Sequence, residues 1–208
     1  MTTRALIIIR DLKNNNVITL YKHSDGYGSY MHELFKLTYC FLTNIEKSYL
    51  PHHITLPETI AATLIVTDFL NYAYIPKKLK MSELVKPDLR PIDFDKDLAL
   101  EVIETAKSNS SNEVVFKKLL RMLIDYVYIL EVKGIYLEDL PKDFNELKKM
   151  RENLPEWNVK EYSIDFDSKK LVLQHEFRIC KDNCNNVPEA MLEKLYEVSE
   201  LLTKLVKQ

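Results

Sequence analysis

Residues 4–11, RALIIIRD, and residues 17–23, VITLYKH, are two short runs rich in apolar and β-branched side chains. Lys13-Asn14-Asn15-Asn16 separates them, and asparagine tolerates positive φ and closes turns through its side chain. The pattern predicts an opening β-hairpin. A matching pair lies far downstream. Residues 159–166 set Tyr162, Ile164 and Phe166 on one parity, and residues 170–179 set Leu171, Leu173, His175, Phe177 and Ile179 on one parity. With Asp167-Ser168-Lys169 as the turn, this reads as a second hairpin with one buried face. Two hairpins at opposite ends of a helical middle predict an α+β fold: one antiparallel sheet of about four strands, packed on a face with about six helices.

The helices follow from spacing and caps. Residues 30–47 place Met31, Leu34, Phe35, Thr38, Cys40, Phe41, Leu42 and Ile45 mostly at helical intervals. Thr55 followed by Glu58 is a capping box with Pro57 in the first turn, opening an apolar helix that Pro76 ends. Residues 76–94 carry three prolines and read as an irregular crossover. Residues 95–107 form an amphipathic helix through Leu98, Val102, Ile103 and Ala106. After the polar SNSSN of 108–112, Ser110 and Glu113 suggest a further capping box. Residues 113–133 read as one helix because no breaker precedes 126, although Tyr126–Val132 has strong strand propensity. A polar helix spans Pro141 to Asn153, and a last one follows Asn186, Pro188 and Glu189. It carries a seam of Met191, Leu195, Val198, Leu202 and Leu205. The reading is a single domain, 1–208, with 76–157 as a helical elaboration.

Composition narrows the class. Hydrophobic residues make up 46% of 208, enough for a sizeable core, and the formal charge is −2. A nucleic-acid binder usually shows a basic excess, so this balance disfavours one. The opening apolar run is too short for a signal-peptide core, and no stretch of 18 apolar residues offers a membrane span. The expectation is a soluble, cytoplasmic protein with no membrane partner. Abundant Tyr, Lys, Ile and Asn suggest an archaeal or archaeal-virus source.

With three glycines in the whole chain, the loop LYKHSDGYGSY at 20–30 stands out by holding two, Gly26 and Gly28. Such a loop needs positive φ or close backbone approach. Two readings of its polar residues stay open. In one, His23 is a base or ligand, Asp25 orients it, and His32 or Glu33 is a third group, with Tyr27, Gly26 and Gly28 forming a binding loop. In the other, Asp25 caps the turn and His23 anchors the loop from the strand end.

Tyr21, Lys22, His23, Asp25, Gly26 and Tyr27 resemble the tyrosine, basic residue, histidine, any residue, aspartate, glycine, tyrosine signature of a family of prokaryotic and viral proteins without an assigned activity. Glu161-Tyr162-Ser163-Ile164-Asp165 is similar to that family's closing hairpin. Ser24 and Gly28 depart from the pattern, which often has an aromatic residue and a proline there. The resemblance covers 60–80 residues and implies the fold, with no catalytic role.

His175, Cys180 and Cys184 are spaced H-x4-C-x3-C. Three possibilities remain: free thiols, a Cys180–Cys184 disulfide, or a metal site needing Cys40, His52 or His53 as fourth ligand. Asp125 with Glu131-Val132-Lys133 superficially matches an acidic nuclease pattern. No complete catalytic constellation emerges, and no cofactor is implied. The expectation is a non-enzymatic interaction or regulatory protein, with a protein partner or second copy engaging the C-terminal helix. The alternative is a metal-dependent hydrolase or nuclease using His23 and Asp25.

Overall fold

The computed structural model describes residues 2–45, 54–73 and 88–187. The opening hairpin is present as β1 (Ala5–Asp11) and β2 (Val17–Lys22), and the second as β5 (Trp157–Asp165) and β6 (Lys170–Ile179). They share one sheet but do not touch. Between them runs β4 (Tyr126–Val132), and β3 (Leu89–Pro91) lies outside β2. Among the described residues the order is β3-β2-β1-β4-β5-β6. β1 and β4 pair in parallel, Ala5 opposite Tyr126 through Asp11 opposite Val132, and every other neighbour is antiparallel. The sheet is therefore mixed and six-stranded, where four antiparallel strands were expected.

Helices cover both faces rather than one. Ala5, Ile7 and Ile9 of β1 point toward α1 (Gly28–Ile45) and α2 (Pro57–Ala73), packing with Met31, Leu34, Phe35, Ile60 and Leu64. Leu6 and Ile8 point the other way, into α3 (Lys96–Ser108) and α4 (Glu113–Arg121), among Val102, Ile103, Phe116 and Leu119. The five successive apolar residues of β1 are what a central strand needs, buried on both faces. Burying each large side chain contributes roughly 1.5–3 kcal/mol. A fifth helix, α5 (Phe144–Glu152), is polar and leaves Phe144 exposed. The final helix expected from its seam lies outside the described residues, as do His52 and His53.

Three expectations for the middle of the chain are corrected. Residues 113–133 are not one helix: α4 stops at Arg121 and Tyr126–Val132 is β4. The breaker is Leu123, held at φ 55°. Its amide bonds Leu120 O at 3.0 Å and the Ile124 amide reaches Leu119 O at 3.0 Å, the Schellman pair of helix-ending bonds. Glycine usually occupies that position, so a leucine there hides the stop. The N-cap of α4 is Asn112, whose side chain accepts the amides of Val114 and Val115, rather than Ser110. Residues 88–157 are also more than a helical elaboration, because they supply β3 and the strand beside β1. At α2, Thr55 Oγ1 accepts the Ile135 amide at 2.9 Å and Glu58 meets the Asn16 side chain.

The second hairpin departs from its expected parity at a bulge. Glu161 faces His175 but Tyr162 faces Leu173, leaving Gln174 as the extra residue. The slip moves the stripe between faces: Phe177 and Ile179 pack on the α1 side, Leu171 on the α3 side. Leu173 is left 48% exposed and His175 lies in the open.

Where β1 ends, fully buried Asp11 accepts the amides of Lys13 (2.8 Å), Asn14 (3.3 Å) and Gly134 (2.8 Å), and the Tyr136 hydroxyl. It ties the first turn to the chain leaving β4. Burial pushes its carboxyl up, but the Tyr136 hydroxyl and the three amides together outweigh that, and the net shift is downward. A folded-state value below the unfolded one means stability present above about pH 3.9 and lost as pH falls through the folded value. Asp11→Asn should therefore be less stable than wild type at neutral pH, with the difference shrinking under acid. Urea denaturation across pH measures it, and a constant difference would refute the assignment.

Leu123 is 54% exposed, so removing its side chain costs little burial. The left-handed conformation costs a non-glycine residue about 1–2 kcal/mol. Leu123→Gly should raise stability by up to about 1 kcal/mol after the added freedom of the unfolded chain is subtracted. Thermal denaturation reads the difference, and a loss of stability would contradict the role given to Leu123.

Candidate functional site

Each hairpin carries an apolar stripe toward α1 and α2, and each stripe ends in a charged residue. On β2 the series Ile18, Leu20 closes with Lys22, and on β5 the series Trp157, Val159 closes with Glu161. Both charges are buried. The first two turns of α1 provide a partner for each, through Tyr30 and His32.

Lys22 is fully buried. Its Nζ lies 2.9 Å from Asp68 Oδ1 and 2.6 Å from Asp88 Oδ2, and 4.9 Å from the Tyr30 ring centre. The Tyr30 hydroxyl donates to Asp68 Oδ1 at 2.7 Å, and the Leu89 amide donates to Asp68 Oδ2 at 3.1 Å. Asp88 Oδ2 also accepts the Ser24 amide at 3.0 Å. This network joins β2, α1, α2 and the entry to β3.

At the other stripe, His32 Nε2 and Glu161 Oε2 are 2.8 Å apart. The His32 side chain is 32% exposed and that of Glu161 is 3% exposed, so a half-open imidazole rests on a sequestered carboxylate. Phe177 lies against the imidazole at 3.9 Å between ring centres, and His175 meets it edge-on at 5.7 Å. Such a carboxylate fixes the orientation of a histidine ring, as in acid–base pairs. Next to it Tyr128 is buried, its hydroxyl donating to Gly26 O at 3.1 Å. Burial first, and then the charge of Glu161, hold the Tyr128 phenol well above the usual tyrosine range, so it stays a donor.

The loop between Lys22 and α1 is shaped by close approach. Gly26 donates its amide to Thr3 O at 2.9 Å, and a Cβ there would stand 2.8 Å from Ala5 Cβ and 2.9 Å from Ala5 N. A Cβ on Gly28 would stand 2.9 Å from Glu161 Oε1, which puts the carboxylate beneath the N-terminus of α1, where the helix dipole favours a negative charge. The left-handed residue of the loop is Asp25, at φ 55°, while both glycines have ordinary φ.

The residues singled out in the sequence thus separate. His23 is exposed, with Nδ1 3.5 Å from the Tyr21 hydroxyl, and the partner structure gives His32 is Glu161. Glu33 is exposed and pairs with Lys36 at 3.9 Å. Tyr27 is 42% exposed, its ring centre 6.3 Å from that of Tyr30. His175 joins the His32 site, whereas Cys184 is bonded to Cys40 and Cys180 is a free thiol, so neither the H-x4-C-x3-C set nor a Cys180–Cys184 bond forms. Asp125 accepts the Arg4 amide and Glu131 meets Arg10 and Lys107, at opposite ends of β4. Among the described residues no three His, Cys, Asp or Glu side chains are gathered so as to hold a metal ion. Sequence reasoning missed Asp68, Asp88 and the role of Glu161. The available signal was a charged residue at the end of an apolar strand parity.

Comparison with known proteins gives no match: no family model fits the sequence, and no curated protein or solved structure matches it. What fold and site define is an α+β protein with a mixed sheet whose two hairpins are joined, on one face, through α1. Among the described residues no helix is long and apolar enough to cross a membrane.

Removing one partner of a buried ion pair typically costs 3–5 kcal/mol, because a charge is left uncompensated. Lys22→Met should lose roughly that much by chemical denaturation. A loss below about 1 kcal/mol, as for an exposed pair, would mean that Lys22 is not held as described.

Proposed function

We propose that this chain is a non-enzymatic interaction or regulatory protein acting inside the cell, and that its motif loop fastens a binding scaffold rather than turning over a substrate. The observation that carries this reading is the inward use of Lys22 and of the two glycines in this loop. Lys22 is spent between Asp68 and Asp88, Gly26 lies on the backbone of β1, and Gly28 lies on Glu161. A catalytic group must reach a substrate, and these cannot. Membership of the prokaryotic and viral family with the tyrosine, basic, histidine, aspartate, glycine, tyrosine signature forms part of the proposal; of its positions, Tyr21, Lys22 and Gly26 are the ones buried in the fold. Surfaces suited to a protein partner remain outside. Val114, Leu120 and Leu123 are exposed on or just after α4, beside Lys117 and Arg121.

A second reading rests on one specific feature. His32, one-third exposed and oriented by Glu161, has the form of a general base, and it would replace His23 and Asp25 in a hydrolase mechanism. One experiment separates the two. Purified protein is incubated with magnesium or manganese and with DNA, RNA and small phosphate and carboxylic esters, beside His32→Ala and His23→Ala. Equal background in all three proteins is the expected result. Turnover present in wild type and lost in His32→Ala would replace the interaction reading with the enzymatic one.

A further inference from the structure

The three cysteines meet at one place. Cys40, fully buried on α1, is bonded to Cys184, 144 residues further along, with Cα atoms 5.2 Å apart. Cys184 belongs to the 3-10 turn Lys181–Asn186 that follows β6. Cys180, the residue that opens this turn, is a free and partly exposed thiol. The turn folds Cys184 back over Cys180, its Sγ 4.0 Å from the Cys180 carbonyl oxygen and 3.8 Å from Thr43 Oγ1. The Cys184 sulfur is thus bonded to a distant partner on α1, while a free thiol lies four residues earlier in the same turn.

We propose that Cys180 is the resolving thiol of an internal disulfide exchange that unfastens the segment after β6 from α1. Cys180 gives its proton to solvent and its thiolate attacks Cys184 Sγ. The Cys180–Cys184 bond forms as the Cys184–Cys40 bond breaks, and Cys40 leaves as a thiolate that takes up a proton. One disulfide and one thiol enter and leave, so no external oxidant or reductant is consumed.

Which pair prevails depends on packing. The bond to Cys40 closes a loop of well over a hundred residues, which a loosened chain does not favour, whereas the bond to Cys180 closes a very short one. Contacts between α1 and the turn therefore hold the long-range pair. Anything that binds the lifted turn in preference to the docked one shifts the balance toward the local pair. The bond state then records whether the end of the sheet is docked on α1.

The test uses protein purified without reductant and held in mildly alkaline buffer with urea just below the unfolding transition, which loosens the turn from α1, then quenched with acid, alkylated and peptide-mapped unreduced. Wild type should yield Cys180–Cys184 peptide together with alkylated Cys40. Cys180→Ser should yield alkylated Cys40 at a level lower by roughly ten-fold or more. Equal Cys40 alkylation in the two proteins, or an intact Cys40–Cys184 bond with only Cys180 alkylated, would overturn the proposal. A second variant probes the geometry directly. Cys40→Ser treated with oxidised glutathione should close Cys180–Cys184, and persistence of the glutathione mixed disulfide would equally overturn it.

Discussion

Neither side of β1 meets water, and most of the structure answers to that condition. Ala5 through Ile9 must be covered above and below, so the chain needs a helical layer on each face and a paired strand along each edge. β2 takes one edge by the shortest route, a turn. The other edge waits for β4, which arrives in parallel after α1, α2, β3, α3 and α4 have been laid down on alternate sides. A parallel neighbour requires a crossover, and here the crossover supplies both layers at once. The antiparallel β5–β6 hairpin then extends the sheet beyond β4.

Charge is admitted into this arrangement only where it can be answered. Lys22 and Glu161 sit on the same face at the ends of their stripes, and α1 begins between them. Tyr30 reaches toward the aspartates that hold Lys22, and His32 reaches Glu161. The start of α1 is thereby positioned from two directions by polar contacts and from below by Gly26 and Gly28, which let backbone and carboxylate approach more closely than a side chain would allow. Buried ion pairs add little net stability over an apolar core, but they penalise wrong placement heavily. Their effect here is to set the register of one helix against two hairpins.

Much of this was legible residue by residue. Period-two runs gave both hairpins, helical spacing gave α1 and α3, and a capping signal with a first-turn proline gave α2. What escaped notice depended on tertiary context. An unbroken apolar run such as ALIII is compatible with an edge hairpin or a central strand until its second partner is known. Leu123 ends α4 in a conformation for which glycine is the usual marker, so the following strand read as more helix. The bulge at Gln174 reverses the faces of β6 midway, which alternation alone does not reveal. The site was partly readable: His32 and the two glycines were singled out, but His23 and Asp25 were favoured because they are neighbours in the chain. Glu161 is distant in sequence and became visible only when β5 was placed beneath α1. Cys40 and Cys184 escaped for the same reason.

The parallel pairing of β1 with β4 also sets a timetable for synthesis. β1 and β2 leave the ribosome together, yet the strand that completes β1 follows more than a hundred residues later, and the turn fastened to α1 later still. Until then β1 offers an unpaired apolar edge, the kind of surface that recruits strands from other molecules. The nascent chain is thus committed to a long exposure, of the kind that holdase chaperones or slow, sheltered emergence relieve.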